Sequence, residues 1–193
     1  MSPDLRVMFG PSSAYASLAA QPPSTGRAIA FRRPALVALV IGTATAVSAT
    51  ERVTFSLVAS GTICWSFVPA LQMATAACVL RSAGRPDIGM GRRLDLWFMG
   101  HGPWSLWLLA AGALLFWPPD MPYLELWMVA SAIVPAAWTA RIGTAFCRKV
   151  LDDSRPQARR RMALHQAMTW AIVIAYVVFA AQLWPRLLAA IGR

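Results

Sequence analysis

The chain has 193 residues, of which 58% are hydrophobic and only 13% charged. A soluble domain carries about 25% charge, and the apolar residues here fall in blocks near the roughly 20 residues that a helix needs to cross a bilayer. This argues against a water-soluble globule and for an all-α, polytopic membrane helix bundle. The net charge of +10 would point to nucleic acid in a soluble protein. Here the basic residues flank apolar blocks, so they read as orientation in a membrane and attraction to anionic lipid, with no nucleic-acid partner.

Residues 1–33 carry Pro3, Pro11, Pro22 and Pro23 in a Ser/Ala mixture without helical period, and are expected to form a flexible cytoplasmic tail. Arg32 and Arg33 precede the first apolar block, residues 34–50. Twin arginines, a short apolar run and Val47-Ser48-Ala49 also fit a cleaved signal. A retained span is favoured, because Ala38, Gly42 and Ala46 form a small-residue ridge suited to close helix packing.

Residues 53–80 contain no formal charge, and Pro69 predicts a kink within them. A loop with Arg81, Arg85, Arg92 and Arg93 follows. The third span is placed at residues 96–117, with Trp97 and Trp117 where interfacial aromatic belts sit. Pro118-Pro119-Asp120-Met121-Pro122 predicts a tight turn, and the fourth span is placed at residues 123–147. A second polar loop, residues 148–161, ends in Arg159-Arg160-Arg161. The fifth span is placed at residues 162–184, where Ala163, Ala167, Ala171 and Ala175 repeat every fourth position. Residues 186–193 form a short C-terminal tail.

With five spans, the N-terminal tail and the two Arg-rich loops share one side, which the positive-inside rule makes cytoplasmic. A re-entrant pair over residues 34–80 would place the same segments inside. The arginine skew, 17 of 18 basic residues, fits a GC-rich bacterial genome, and the expected location is a bacterial inner membrane. Cys64, Cys78 and Cys147 show no metal or disulfide spacing and read as small buried hydrophobes.

No nucleotide-binding, metalloprotease or hydrolase motif is present, and no loop is long enough to house a soluble catalytic site. The expected function is therefore non-enzymatic: helix packing with itself or a membrane partner. Two alternatives use charged or titratable groups in the spans, which are costly there and usually functional. The first is a small transport or proton-relay component using Glu125, Arg141 and the histidines. The second is a haem- or metal-binding protein. His101, Arg141 and His165, placed by helical rise at similar depth, are expected to form one polar layer. Two neutral imidazoles there would ligate iron or another metal, or pass protons. Gly100 and Gly102 flank His101 and would admit a close neighbour. Arg159, Arg160 and Arg161 are the candidate lipid-facing basic residues. No catalytic residue, dedicated metal cluster or resident cofactor is assigned.

The layout of polar cytoplasmic tail, five spans and short loops resembles the Yip family. The resemblance covers about residues 30–190, is strongest over residues 34–80 and 96–117, and rests on span number, order and length. Family members interact with Rab-type GTPases in eukaryotes and also occur in bacteria. The resemblance implies membrane organisation or partner binding and maps no family site onto this chain.

Overall fold

The structure, a computed structural model, describes residues 1–21, 29–50, 52–82, 87–116 and 122–179, with positions 182 and 186. Two short N-terminal helices come first, α1 (Pro3–Phe9) and α2 (Pro11–Ala19). The bundle follows with α3 (Ile29–Thr50), α4 (Phe55–Trp65), α5 (Phe67–Leu80), α6 (Met90–Phe98), a 3-10 turn at Met99–His101, α7 (Gly102–Phe116), α8 (Leu124–Ser131), α9 (Ile133–Lys149) and α10 (Arg155–Val178). No strand occurs among the described residues. Three stretches are long and apolar enough to cross a membrane: Ala30–Thr50, Phe55–Leu80 and Leu126–Lys149.

The N-terminal segment corrects the expectation of a flexible tail. Ser2 caps α1 through its hydroxyl, and Pro3 and Pro11 take first-turn positions, where proline's missing N–H costs nothing. The prolines therefore start helices here. Val7 and Tyr15 are fully buried. Tyr15 donates to the Leu96 carbonyl at 3.1 Å, and Trp138 Nε1 donates to the Met8 carbonyl at 2.9 Å. Burial pushes the Tyr15 hydroxyl above its ordinary ionisation range, against the pull of Arg33, so it stays a donor. Residues 22–28 lie outside the described ones.

Three helical runs break at the same place relative to a proline. Proline at position i removes the bond to carbonyl i−4 and its ring crowds that carbonyl. Pro69 lies three residues after the break at Ser66, and Pro135 three after the break at Ala132. At both breaks the chain tightens to i→i−3 bonding: Ser66 N–H to the Ile63 carbonyl at 3.3 Å, Ala132 N–H to the Val129 carbonyl at 3.1 Å. Pro103 stands in the same relation to the 3-10 turn at Met99–His101. The kink expected at Pro69 is thus a break one turn earlier. Pro34 lies inside α3, which begins at Ile29 and not at residue 34, and the helix runs on through it without the N–H that would bond the Ala30 carbonyl.

The small-residue ridge on α3 packs as expected. A Cβ on Gly42 would overlap Thr62, and one on Gly61 would sit 2.8 Å from the Gly42 carbonyl oxygen, so α3 and α4 touch backbone to backbone. Gly112 of α7 lies against Ala44 on the same helix. The alanine ladder of α10 does the opposite: Ala163, Ala167, Ala171 and Ala175 are all exposed. Of the cysteines, Cys147 is buried, whereas Cys64 and Cys78 are exposed on the bundle exterior. Trp97, expected in an interfacial belt, is instead packed edge-on against Phe146 in the core. Trp117 lies outside the described residues.

All three Arg-rich segments meet at one end of the bundle, here the charged end. Arg33 is buried and donates to Asp4 of α1 at 2.7 Å and to the carboxylate and carbonyl of Asp95 on α6. Arg93 donates to the Leu80 and Ile88 carbonyls at 2.8 Å each. The predicted 148–161 loop shrinks, because α10 starts seven residues early. Asp152 adopts a left-handed backbone (φ 60°) that Asp tolerates, and Asp153 N–H returns to the Cys147 carbonyl at 3.0 Å. A capping box between Ser154 and Gln157 then opens α10.

Breaking the Arg33–Asp95 pair on one side leaves an unpaired buried charge. Arg33→Met and Asp95→Leu should each cost about 3–5 kcal/mol, and the double exchange should cost less than either, read as denaturation midpoints in detergent. Gly42→Leu should cost on the order of 1–3 kcal/mol in the same assay, because α4 has no room to give.

Candidate functional site

The sequence places His101 beside Pro103, and the proline is why His101 sits in a 3-10 turn instead of a regular helix. Gly100 and Gly102 do what the sequence suggests. A Cβ on Gly100 would press on Ile142 of α9 at 3.3 Å, and one on Gly102 would meet Met8 Sδ at 2.5 Å. The turn is thereby clasped between α9 and α1, with Thr139 Oγ1 donating to the Gly100 carbonyl at 3.4 Å. His101 stacks on Phe98, ring centroids 4.4 Å apart.

His165 comes from α10. Gly143 of α9 leaves no space for a side chain against Met162, so α9 and α10 approach closely and turn His165 inward. Its ring meets Trp97 edge-on at 4.8 Å. The two histidines are 7% and 4% exposed and lie within electrostatic range of one another. Both open onto one cavity of about 250 Å³, with Trp65, Trp97, Trp104 and Trp170 in its walls. Gln72, Ser105, Thr139, Gln166 and Thr169 add hydrogen-bonding groups. For scale, a wholly apolar engineered cavity of about 150 Å³ stays dry and accepts benzene.

Among the described residues, four buried polar atoms at this site have no hydrogen-bond partner: His101 Nδ1, both ring nitrogens of His165, and Gln72 Oε1. The carbonyls of Phe98 and Gln72 lie near the imidazoles, without satisfying hydrogen-bond geometry. Buried polar groups are nearly always paired, so unpaired ones mark strain, function or an occupant. The site therefore combines flat aromatic walls with a short row of waiting acceptors and donors. Among the described residues no third His, Cys, Asp or Glu joins the histidines. A metal ion or haem iron held here would have two imidazole nitrogens as its protein ligands.

Arg141 does not belong to this layer. It lies on the outer face of α9 and is exposed, while Thr139, Ile142, Gly143 and Phe146 face inward. The helical rise sets its depth correctly, but at 100° per residue Arg141 points away from Thr139 and Ile142. The Glu125 side chain lies outside the described residues. Of the basic run at residues 159–161, Arg159 and Arg160 are exposed. Arg161 is not lipid-facing: it bonds Asp153 at 2.8 Å, Ser82 Oγ at 3.0 Å and the Val79 carbonyl. The tight turn after α9 aims Asp153 at it.

Gln72, Thr139, Gln166 and Thr169 are absent from the sequence-based site. For Thr169 there was a signal: it stands four residues from His165 in the row Met162, His165, Thr169 and Val173 of α10, all of which line the cavity.

No family model, curated protein or solved structure matches this chain.

If the imidazoles await an occupant, they cost stability when the cavity holds none. His165→Leu should stabilise the ligand-free protein by about 1–3 kcal/mol, the penalty of an unsatisfied buried polar group, measured by denaturation in detergent. A destabilised variant would mean that His165 is satisfied in the native fold.

Proposed function

We propose that this is a non-enzymatic, five-span membrane protein that binds a small, mostly apolar molecule inside its helix bundle. The carrying observation is the cavity with His101 and His165, whose unpaired ring nitrogens face four tryptophans. Ligand pockets characteristically pair apolar walls with a few convergent polar groups. The occupant must offer both donors and acceptors, because each neutral imidazole presents one of each and Gln72 Oε1 only accepts.

The five-span topology draws support from helix length. Beyond the three apolar stretches, the run from Met90 to Phe116 and α10 are each longer than the roughly 20 residues needed, with their charged first turns at the charged end and apolar remainders beyond it. The meeting of all three Arg-rich segments at one end fits two crossings between each segment and the next, with α10 as the fifth and that end cytoplasmic. The antiparallel lengths of α3 and of residues 55–80 favour two full crossings over a re-entrant pair. A bacterial inner membrane is the proposed location. The likeness in layout to the Yip family agrees with this topology and adds no ligand.

Purified wild-type protein should carry, or take up on screening, a small organic molecule near one equivalent. Mass spectrometry and the absorbance spectrum would detect it. The His101→Leu/His165→Leu variant should lose it. Indistinguishable contents in the two proteins, with no compound altering tryptophan fluorescence of the wild type, would sink the reading.

A second reading, association through helix packing, is favoured by one observation: the alanine ladder of α10 faces outward. Ala167→Leu should then abolish crosslinked dimers in native membranes while leaving the monomer folded. A wild type that stays monomeric at every expression level would end that reading.

A further inference from the structure

We propose that the groove between α5 and α10 at the charged end is a binding site for an anionic phospholipid, with its phosphate on the Arg160 guanidinium. The groove measures about 350 Å³. Its rim carries Arg160, Gln157 and Ser82, and its floor carries Cys78, Leu164 and Met168.

The division between rim and floor coincides with the end of an apolar stretch. That stretch closes at Leu80, so Ser82 lies just beyond it and Cys78 within it. On α10, the eight residues from Arg160 to Met168 span about 12 Å at 1.5 Å per residue, the depth from a headgroup to the upper acyl chain. The apolar part is uncovered, with Leu164 51% exposed and Cys78 exposed. A hydrated free anion would leave that floor bare, and a lipid tail covers it.

The neighbouring charges decide the sign of the headgroup. Asp153 is held by Arg161, which also fastens the rim to Ser82 and the Val79 carbonyl. That clamp takes the nearest carboxylate out of play. Arg160 is exposed and has no hydrogen bond or ion pair among the described residues. Arg159 and Arg155 are exposed on the same helix, against one exposed acid, Asp152, on the preceding turn. Gln157 accepts the Ser154 N–H at 2.9 Å with its oxygen, which turns its amide NH₂ outward as a further donor. Among the described residues that line the groove, a phosphodiester oxygen meets donors at the rim and no carboxylate.

Cys78 on the floor reports occupancy. In a Cys64→Ser background, maleimide labelling of Cys78 is followed in uncharged detergent micelles. Added phosphatidylglycerol should slow labelling at least threefold, phosphatidylcholine at equal mole fraction should slow it far less, and inorganic phosphate should leave it unchanged. Arg160→Gln should remove the phosphatidylglycerol effect, while Arg148→Gln, exposed on α9 and off the groove, should retain it. Cys147, buried in the core, must stay unlabelled in every variant, which certifies the fold. Equal protection by the two lipids, protection by inorganic phosphate alone, or an unchanged effect in Arg160→Gln would each overturn the proposal.

Discussion

The buried carboxylate of Asp95 organises the charged end. Arg33 reaches it directly, while Arg32 and Arg92 approach at 3.9 and 3.7 Å. Desolvating such groups costs several kcal/mol per ion, and their attraction offsets this only when geometry and extra hydrogen bonds are good. Arg33 meets that condition by also holding Asp4 and the Asp95 carbonyl. The result is registry more than net stability. One guanidinium fixes α1, α3 and α6 relative to one another, and the carbonyl bonds of Arg93 and Arg161 tie in α5 and α10. The arginines of the charged end are, at these positions, the joints of the bundle.

Away from that end the packing changes character. The core cluster runs through Tyr15, Leu80, Trp97, Ile142, Phe146 and Leu151, all nearest the charged end. Farther along, Trp127, Val129, Ile133, Ile172 and Ile174 are exposed, as expected of residues that contact lipid tails. The cavity lies where one regime gives way to the other. The breaks ahead of Pro69 and Pro103 lie beside it, next to the lining residues Trp65, Val68, Gly100 and His101. Gly100 and Gly143 tighten the contacts just beneath, so the opening is local.

Helical class, the long apolar stretches and the small-residue face of α3 were legible in the sequence, because composition and spacing determine them directly. His101 and His165 were legible as partners, since rise per residue fixes depth. Arg141 was misplaced because depth says nothing of azimuth, and only the inward stripe of α9 settles which way it faces. The N-terminal helices were illegible for a different reason. Neither segment is long enough to hold a helix in isolation; each is helical because Tyr15, Met8 and Asp4 find partners on α6, α9 and α3. Arg161 was read by its neighbours in sequence as a surface cation, whereas the αL turn at Asp152 brings it a carboxylate.

The docking of α1 and α2 also bears on the order of assembly. Met8 is bonded to a residue 130 positions later, and Tyr15 to one 81 positions later. At about 5–20 residues per second of synthesis, α1 and α2 wait on the order of ten seconds for their partners on α9 and α6. Neither helix is fully seated until α9 has been made. Their arrival sets Met8 against Gly102, next to His101, so the turn that carries one wall of the cavity is clasped only after both of its neighbours exist.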